Sequence, residues 1–216
     1  MSSLKLTSYL TQKSVWPKSG KHILAQFDDE SIIVYQAYNP SIAAEIVKNK
    51  TFHAESCQAA GFNLNRTTWI KTNFLWMMFR SNWAQSKNQE RILAFRITRD
   101  GFENILSNAA VSKTGNTDKI RQSDVVLQWD PDHHPNGSKI TERRAVQIGI
   151  RGDMLKKFSI EFIIDVTDIT ELVEKERENI NDLDNLVIPE EHCYELNELN
   201  IIKTIEINSN KGIIIS

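Results

Sequence analysis

The segment of this sequence best suited to chemistry is TTWIKTNFLWMMFRSNW, residues 67–83, which combines aromatic with basic residues. If it forms a helix, Trp76, Arg80 and Trp83 recur at the spacing of one helix face. A guanidinium held between two indoles by cation–π contacts presents a planar fork that suits a phosphate or a carboxylate. The alternative is core packing, with Arg80 paired to a buried carboxylate. We expect a combination, in which the apolar residues pack while Lys71 and Arg80 reach a cleft.

Polar residues near the ends of predicted strands are the other candidates. Gln36 and Tyr38 close the strand VYQAY, where a buried amide needs hydrogen-bond partners in a ligand or in the backbone. Asp130, in QWDP, is a candidate general base, and a turn-initiating Asp-Pro is the alternative. Arg144 leads into RAVQIGI, in which Gln147 is polar among apolar residues, and a β-bulge would give the same pattern.

Several classes of site are not expected. The sequence has no glycine-rich phosphate loop, no zinc-protease motif and no nucleophile elbow. The five histidines lack metal-ligand spacing, and His133 and His134 fall in a Pro/Asn/Gly loop typical of a solvated surface. Cys57 and Cys193 are far apart in unlike contexts, which favours reduced thiols and a cytoplasmic or nuclear location. No apolar run reaches the length of a membrane span, so we expect a soluble protein without a membrane partner.

Short apolar runs predict the strands that must position these residues. Asn73 is the expected N-cap of the helix FLWMMFRSNWAQ, whose apolar sides indicate a place in the core. TELVEKERENI predicts a charged helix after the last of these strands. The apolar run IIKTIEI, residues 201–207, is compatible with an edge strand, an interaction tail or disorder. The predicted strands are SIIVYQAY (31–38), TTWIKT (67–72), RILAFRI (91–97), VVLQWD (125–130), RAVQIGI (144–150) and IEFIIDV (160–166).

These elements predict an α+β fold rather than a doubly wound sheet, because strands and helices interleave early and strands cluster later. We expect a single domain over residues 23–182, with interleaved helices on a mixed, largely antiparallel split sheet. Residues 1–22 are expected to be irregular, and residues 183–216 to form an acidic extension behind the charged helix. Residues 1–160 carry 22 Lys and Arg against 14 Asp and Glu, whereas residues 161–216 carry 4 against 14. A basic body suits a phosphate-bearing ligand, and a solvated acidic helix is the plainer interpretation.

A family resemblance rests on the same motifs. The run TTWIKTNFLWMMFRSNW, with VYQAY before it and QWDP and VQIGI after it, resembles domain-of-unknown-function family 4291 over about residues 20–170. The resemblance implies membership of that family but implies no particular activity.

The order of elements more distantly resembles the ADP-ribosyltransferase fold. On that resemblance Gln36 stands where such enzymes place Arg or His to hold NAD. Thr68 and Trp69 stand near their Ser or Tyr, and Gln147 stands where Glu contacts the nicotinamide ribose. A neutral Gln147 can hydrogen-bond a ribose hydroxyl but cannot neutralise a developing oxocarbenium, which costs roughly 3 kcal/mol. The resemblance therefore implies NAD as the ligand of a divergent site.

Our leading hypothesis is a nucleotide-utilising, transferase-like protein for NAD or ADP-ribose, and whether it catalyses a reaction stays open. The alternative is a nucleic-acid-binding module without catalysis, favoured by the basic body and the aromatic residues near Arg80. A protein-interaction domain acting through the acidic helix 171–180 is a third reading. The candidate catalytic residues are Gln36 and Gln147, and the candidate ligand-binding residues are Tyr38, Trp69, Lys71, Arg80, Asp130 and Arg144.

Overall fold

The structure is a computed structural model that describes residues 4–112 and 117–208. Its strands are β1 (Leu6–Ser8), β2 (Gly20–Lys21), β3 (Leu24–Ala25), β4 (Ser31–Tyr38), β5 (Thr68–Lys71), β6 (Arg91–Thr98), β7 (Ala109–Val111), β8 (Val125–His133), β9 (Lys139–Ile150), β10 (Ile163–Asp168), β11 (Val187–Pro189) and β12 (His192–Cys193). Its helices are α1 (Tyr9–Val15), α2 (Pro40–Asn49), α3 (Glu55–Ala59), α4 (Phe74–Ser81), α5 (Arg99–Ser107), α6 (Thr117–Gln122), α7 (Gly152–Lys157), α8 (Thr170–Arg177) and α9 (Leu199–Ile205), with a π-helical segment at Phe158–Phe162.

One central sheet holds most of the strands, in the order β10-β6-β4-β5-β9-β8-β7, with β2 beside β9. The neighbours are antiparallel except for β7 with β8 and β2 with β9, which are parallel. Two small sheets, β1 with β11 and β3 with β12, lie beside it. The predicted α+β class is therefore confirmed, including the mixed and largely antiparallel pairing.

The central sheet separates two hydrophobic cores, because successive side chains of a strand point to opposite faces. Val34 of β4 lies in one core, which α2, α5, α7 and α9 cover. The next residue, Tyr35, lies in the other core, which α1, α4 and α8 cover. We call these the Val34 face and the Tyr35 face. The position of a residue along its strand thus decides which face its side chain joins.

Both ends of the described chain carry more regular structure than the sequence predicts. The expectation that residues 1–22 are irregular is wrong, since they include β1, α1 and β2. The IIKTIEI run contributes most of α9, and Ile201 and Ile205 are buried in the core of the Val34 face. These segments pair with partners distant in sequence, β1 with β11 and β3 with β12, which local patterns do not reveal.

Two further observations concern the whole described chain. No helix within residues 4–112 and 117–208 combines the length and the apolarity needed to cross a membrane. Cys57 is buried, Cys193 is half-buried, and both are free thiols.

Candidate functional site

A row of polar side chains crosses three neighbouring strands on the Tyr35 face. Lys71 of β5 lies opposite Gln147 of β9, and Gln147 lies opposite Gln128 of β8. The Gln147 amide nitrogen donates to Gln128 Oε1 at 3.0 Å and to Asp130 Oδ2 at 2.8 Å. The structure therefore brings together three of the predicted site residues, Lys71, Asp130 and Gln147. Gln128, the first residue of the QWDP motif, completes the row.

Lys71 is the unusual member, because its side chain is buried although it carries an amine. The residue is 7% exposed, and its Nζ donates to the backbone oxygen of Trp69 at 3.0 Å. Nζ makes no other hydrogen bond to the described residues. Burial, and then the nearby Arg80 guanidinium, lower the pKa of Lys71 to about 7, while Asp130 acts in the opposite direction. The amine is consequently about half protonated near neutral pH, where an ordinary lysine is charged.

Helix α4 begins three residues after Lys71, and its start is fixed by two side chains. Asn73 is its N-cap and accepts a hydrogen bond from the backbone nitrogen of Trp76 at 2.7 Å, which confirms the predicted cap. The buried Glu191 accepts from the Phe74 backbone nitrogen at 2.6 Å and from Asn73 Nδ2 at 2.8 Å. A carboxyl group at a helix N-terminus accepts from donors that the helix leaves free, and burial raises the pKa of Glu191 well above its ordinary value. A residue far along the chain therefore holds α4 in place beside Lys71.

The predicted stripe of Trp76, Arg80 and Trp83 is wrong in its last member. Helix α4 ends at Ser81, and Asn82, Trp83 and Ala84 all have positive φ angles, of 49°, 52° and 64°. This left-handed stretch turns the chain back, and the buried Trp83 donates from Nε1 to the Pro135 oxygen at 3.0 Å. The indole of Trp83 instead packs edge-on against the Phe74 ring, with 6.0 Å between the ring centroids.

The core-packing part of the same prediction is confirmed for most of α4, since five of its apolar residues are buried while Phe79 and Arg80 are exposed. Those buried residues are Phe74, Leu75, Trp76, Met77 and Met78.

An aromatic stack lies between α4 and the end of β8. The ring of His133 lies 3.6 Å from that of Phe79 and 5.1 Å from that of Trp76, both nearly parallel to it. His133 is 1% exposed, so the expectation of a solvated histidine pair is wrong for this residue. Strand β8 continues through the Asp-Pro and carries His133 under α4, which local composition could not indicate. Within the described structure, both His133 ring nitrogens and Trp76 Nε1 are buried without hydrogen-bond partners.

Trp69 borders the polar row on strand β5. It is half-buried and lies opposite Gly149, and a Cβ placed on Gly149 would fall 3.0 Å from Trp69 Cζ2. The absence of a side chain at residue 149 therefore lets the indole lie directly against strand β9. The glycine that the sequence analysis included in VQIGI thus has a packing role.

Replacing Gly149 with alanine is expected to destabilise the fold by about 1–3 kcal/mol, the usual cost of overpacking. The added methyl group would lie 2.8 Å from Thr67 Cγ2 as well as against the Trp69 ring. Urea unfolding of the wild type, Gly149→Ala, Trp69→Ala and the double variant gives the coupling between the two positions. The alanine should cost less in the Trp69→Ala background, and additive costs would contradict this account.

Three predicted site residues lie on the Val34 side of the sheet, so the expectation of one shared cleft is corrected. Gln36 is buried there, with its Nε2 donating to Thr68 Oγ1 at 2.7 Å and its Oε1 accepting from Tyr38 at 3.0 Å. Arg144 lies two residues before Val146 on β9, so the two side chains point to the same face of the sheet. Val146 belongs to the core of the Val34 face. The reason is the strand period of two, since Tyr35, and not Gln36, pairs with Lys71.

A small pocket lies above the Gln36 network. Its volume is about 180 Å³, and Tyr38 and Thr68 contribute to its wall. Burial raises the pKa of Tyr38 above its ordinary value, so this hydroxyl stays protonated and keeps its hydrogen bond to Gln36. The other lining residues are Ile42, Gly61, Phe62, Asn63, Arg66 and Thr67.

The described residues contain no group of three or more His, Cys, Asp or Glu side chains placed to hold a metal ion. The chemistry available at the polar row is that of an amine, amides, a guanidinium and one carboxylate.

Comparison with known proteins identifies the chain by family. The model of a domain of unknown function, DUF4291, matches residues 22–194. The chain belongs to this family. The match confirms the predicted membership and extends past the expected limit near residue 170, to include the segment that carries Glu191. No curated protein matches the chain.

Proposed function

We propose that this protein binds a phosphate-bearing nucleotide, of the NAD or ADP-ribose class, at the polar row in front of α4. The observation that carries the proposal is the buried Lys71 amine, which has one protein acceptor among the described residues and the Arg80 guanidinium nearby. A buried ammonium without an ion-pair partner is costly to the fold. An anionic ligand would offset that cost.

The unsatisfied donors near α4 support the same ligand chemistry. Trp76 Nε1 can only donate, and it is buried without an acceptor in the described structure. His133 adds two unpaired ring nitrogens next to the Trp76 ring, of which one donates and one accepts when the imidazole is neutral. Buried polar groups normally have partners, so a group of unpaired ones favours a ligand rich in acceptor oxygens. Phosphate and ribose oxygens are such acceptors.

The base of a nucleotide has a stacking partner in Trp69. Its indole is half-buried, and because Trp69 lies two residues before Lys71 on β5, both side chains are on the same face of the sheet. Stacking of a base on an aromatic side chain contributes about 1–3 kcal/mol. The half-buried Trp69 thus supplies an apolar platform beside the cationic groups.

NAD and ADP-ribose are proposed because of the resemblance of the element order to ADP-ribosyltransferases. Gln147, the position assigned to the ribose contact, lies in the polar row with Asp130 Oδ2 accepting its hydrogen bond at 2.8 Å. Asp130 therefore places a carboxylate next to a neutral amide. Gln36 faces the opposite side of the sheet and is therefore not part of the proposed nucleotide site.

Titration calorimetry with ADP-ribose, NAD and ATP in buffers of different ionisation enthalpy tests the proposal. An anion next to Lys71 raises the pKa of its amine from about 7, so binding takes up a proton when Lys71 starts neutral. We expect uptake approaching one proton at about pH 8 and little at about pH 6, with affinity falling as pH rises above 7. Arg80 of α4 and Asp130 of β8 are the charged groups that set the free pKa.

Three variants make this measurement specific. Lys71→Met should abolish the proton uptake, and Arg80→Ala should weaken binding about tenfold or more, since hydrogen bonds to charged groups contribute roughly 1.5–3 kcal/mol. Lys156→Met, at an exposed position of α7, is the control and should change neither. Absence of binding to every adenine nucleotide would overturn the proposal. Binding of single-stranded RNA alone, with strong salt dependence, would instead favour the nucleic-acid module.

A further inference from the structure

Lys71 has the surroundings of an amine nucleophile as well as those of an anion ligand. Lysine becomes nucleophilic at neutral pH when it is desolvated or lies next to another cation, because both conditions favour the neutral amine. Lys71 meets both conditions, being 7% exposed with Arg80 close enough to affect its protonation. Some other lysines of the described chain form ion pairs at the surface, such as Lys50 with Asp165 at 2.8 Å.

The geometry also holds the amine in one place. The Trp69 backbone oxygen accepts a hydrogen bond from Nζ at 3.0 Å, which fixes the end of a side chain that is otherwise flexible. The carboxylate of Asp130, in the same polar row, partly offsets the lowering of the Lys71 pKa by burial and Arg80. Gln147 Nε2 donates a hydrogen bond to Asp130 Oδ2 at 2.8 Å and so orients this carboxylate. An oriented amine with a carboxylate at hand has both a nucleophile and a proton carrier.

We propose that Lys71 forms a Schiff base with the carbonyl carbon of a phosphorylated aldehyde or aldose, of which open-chain ADP-ribose is the nucleotide case. This rests on the proposed function and names the substrate class of the same site. NAD is excluded from the covalent step because its anomeric carbon bears nicotinamide and has no free carbonyl. Arg80 would hold a phosphate of the ligand, since a guanidinium fork matches phosphate oxygens.

The step balances without a further reactant. The neutral Nζ attacks the carbonyl carbon, the carbonyl π bond breaks toward oxygen, and a carbinolamine forms. The nitrogen then loses two protons in all and the oxygen gains two, so that one water leaves and a C=N bond remains. Asp130 carries protons from nitrogen to oxygen and returns to its starting state. Amine and aldehyde therefore give imine and water, with no oxidant or reductant.

Reductive trapping of the full chain tests the proposal. Pyridoxal 5′-phosphate, which carries an aldehyde and a phosphate, and ADP-ribose are each incubated with the protein and cyanoborohydride. The modified lysines are then located by peptide mass spectrometry. We expect Lys71 to be labelled at least tenfold faster than Lys156 near neutral pH, because about half of its amine is neutral there, whereas an ordinary lysine is almost entirely charged. Its rate should level off above about pH 7, whereas the rate at exposed lysines rises about tenfold per pH unit to about pH 10.

Two comparisons decide between the possible results. Unlabelled ADP-ribose should suppress pyridoxal phosphate labelling at Lys71 and leave Lys156 unaffected, and Arg80→Ala should raise the half-saturating concentration about tenfold, as expected when a contact to a charged group is lost. Labelling confined to exposed lysines, in a protein that binds ADP-ribose by calorimetry, would overturn the Schiff base and leave the proposed function standing. If neither binding nor Lys71 labelling occurs, both fail. Site mapping in the wild type needs no variant to fold.

Discussion

Replacing Lys71 with methionine is expected to stabilise the fold by at least about 2 kcal/mol at or below neutral pH, while nucleotide binding is lost. Methionine keeps most of the aliphatic volume of the side chain and removes the buried amine. The pKa of Lys71 falls from 10.5 to about 7 in the fold. At 1.36 kcal/mol per pKa unit, this sets an upper limit of roughly 5 kcal/mol for the cost of holding the charged form in the native state.

The sign of the pH dependence follows from that shift. Between about pH 7 and pH 10.5 the unfolded chain binds more protons at Lys71 than the native protein does, so native stability from this group rises with pH. The cost is complete below about pH 7 and disappears above about pH 10.5. The advantage of Lys71→Met over the wild type should therefore be largest and constant below neutral pH, then shrink steadily in alkaline solution.

Urea unfolding of both proteins at a series of pH values measures this difference directly. Lys156→Met, at an exposed position, should show a small difference from the wild type that does not vary with pH. A Lys71→Met protein less stable than the wild type at about pH 6 would mean that the ammonium is satisfied in the native fold. A stabilising change that abolishes binding is the behaviour expected of a residue kept for function at a cost in stability.

Removing one partner of the buried pair Arg143–Asp132 is expected to cost about 3–5 kcal/mol, because it leaves an uncompensated group in the interior. Arg143 Nε lies 2.6 Å from Asp132 Oδ2, and the side chains are 8% and 1% exposed. The guanidinium also donates to the Pro17 oxygen at 2.9 Å and lies 5.1 Å from the Trp16 ring. The pair thus joins the N-terminal segment to the β8–β9 hairpin beneath the aromatic stack.

The measurement is urea unfolding of Asp132→Asn, Arg143→Met and the double variant, with the coupling energy taken from the cycle. The exposed pair of Lys50 and Asp165 is the matched control, since its side chains are 56% and 28% exposed at a similar distance of 2.8 Å. Lys50→Met should cost less than about 1 kcal/mol. An equally small loss for Asp132→Asn would show that the buried pair adds little to the fold.

Local sequence patterns determined much of the architecture. The apolar runs predicted the main strands β4, β5, β6, β8 and β9, and the interleaving of strands with helices predicted the α+β class. Asn73 was predicted as the cap of α4, because N-capping depends on a side chain and a backbone nitrogen three residues away. The motif run around that helix was enough to indicate the family. All of these features depend on residues close together in the chain.

The composition of the site was decided only by the tertiary structure. A strand pattern shows which residues of one strand share a face, but the register between strands decides which residues of two strands share it. The pairing of Tyr35 with Lys71 placed Gln36 and Gln147 on opposite faces of the sheet. For the same reason the sequence could select Lys71, Asp130 and Gln147 individually without showing that they lie together.

Contacts between distant segments account for the remaining features. Glu191 caps α4 across 117 residues of chain, and His133 meets Phe79 through the long hairpin of β8 and β9. The pKa of Lys71 depends on burial, Arg80 and Asp130, and burial exists only after the sheet and α4 have packed. A lysine in an isolated peptide is an ordinary solvated cation. Only the folded chain removes water from this amine, and that desolvation underlies the chemistry proposed for it.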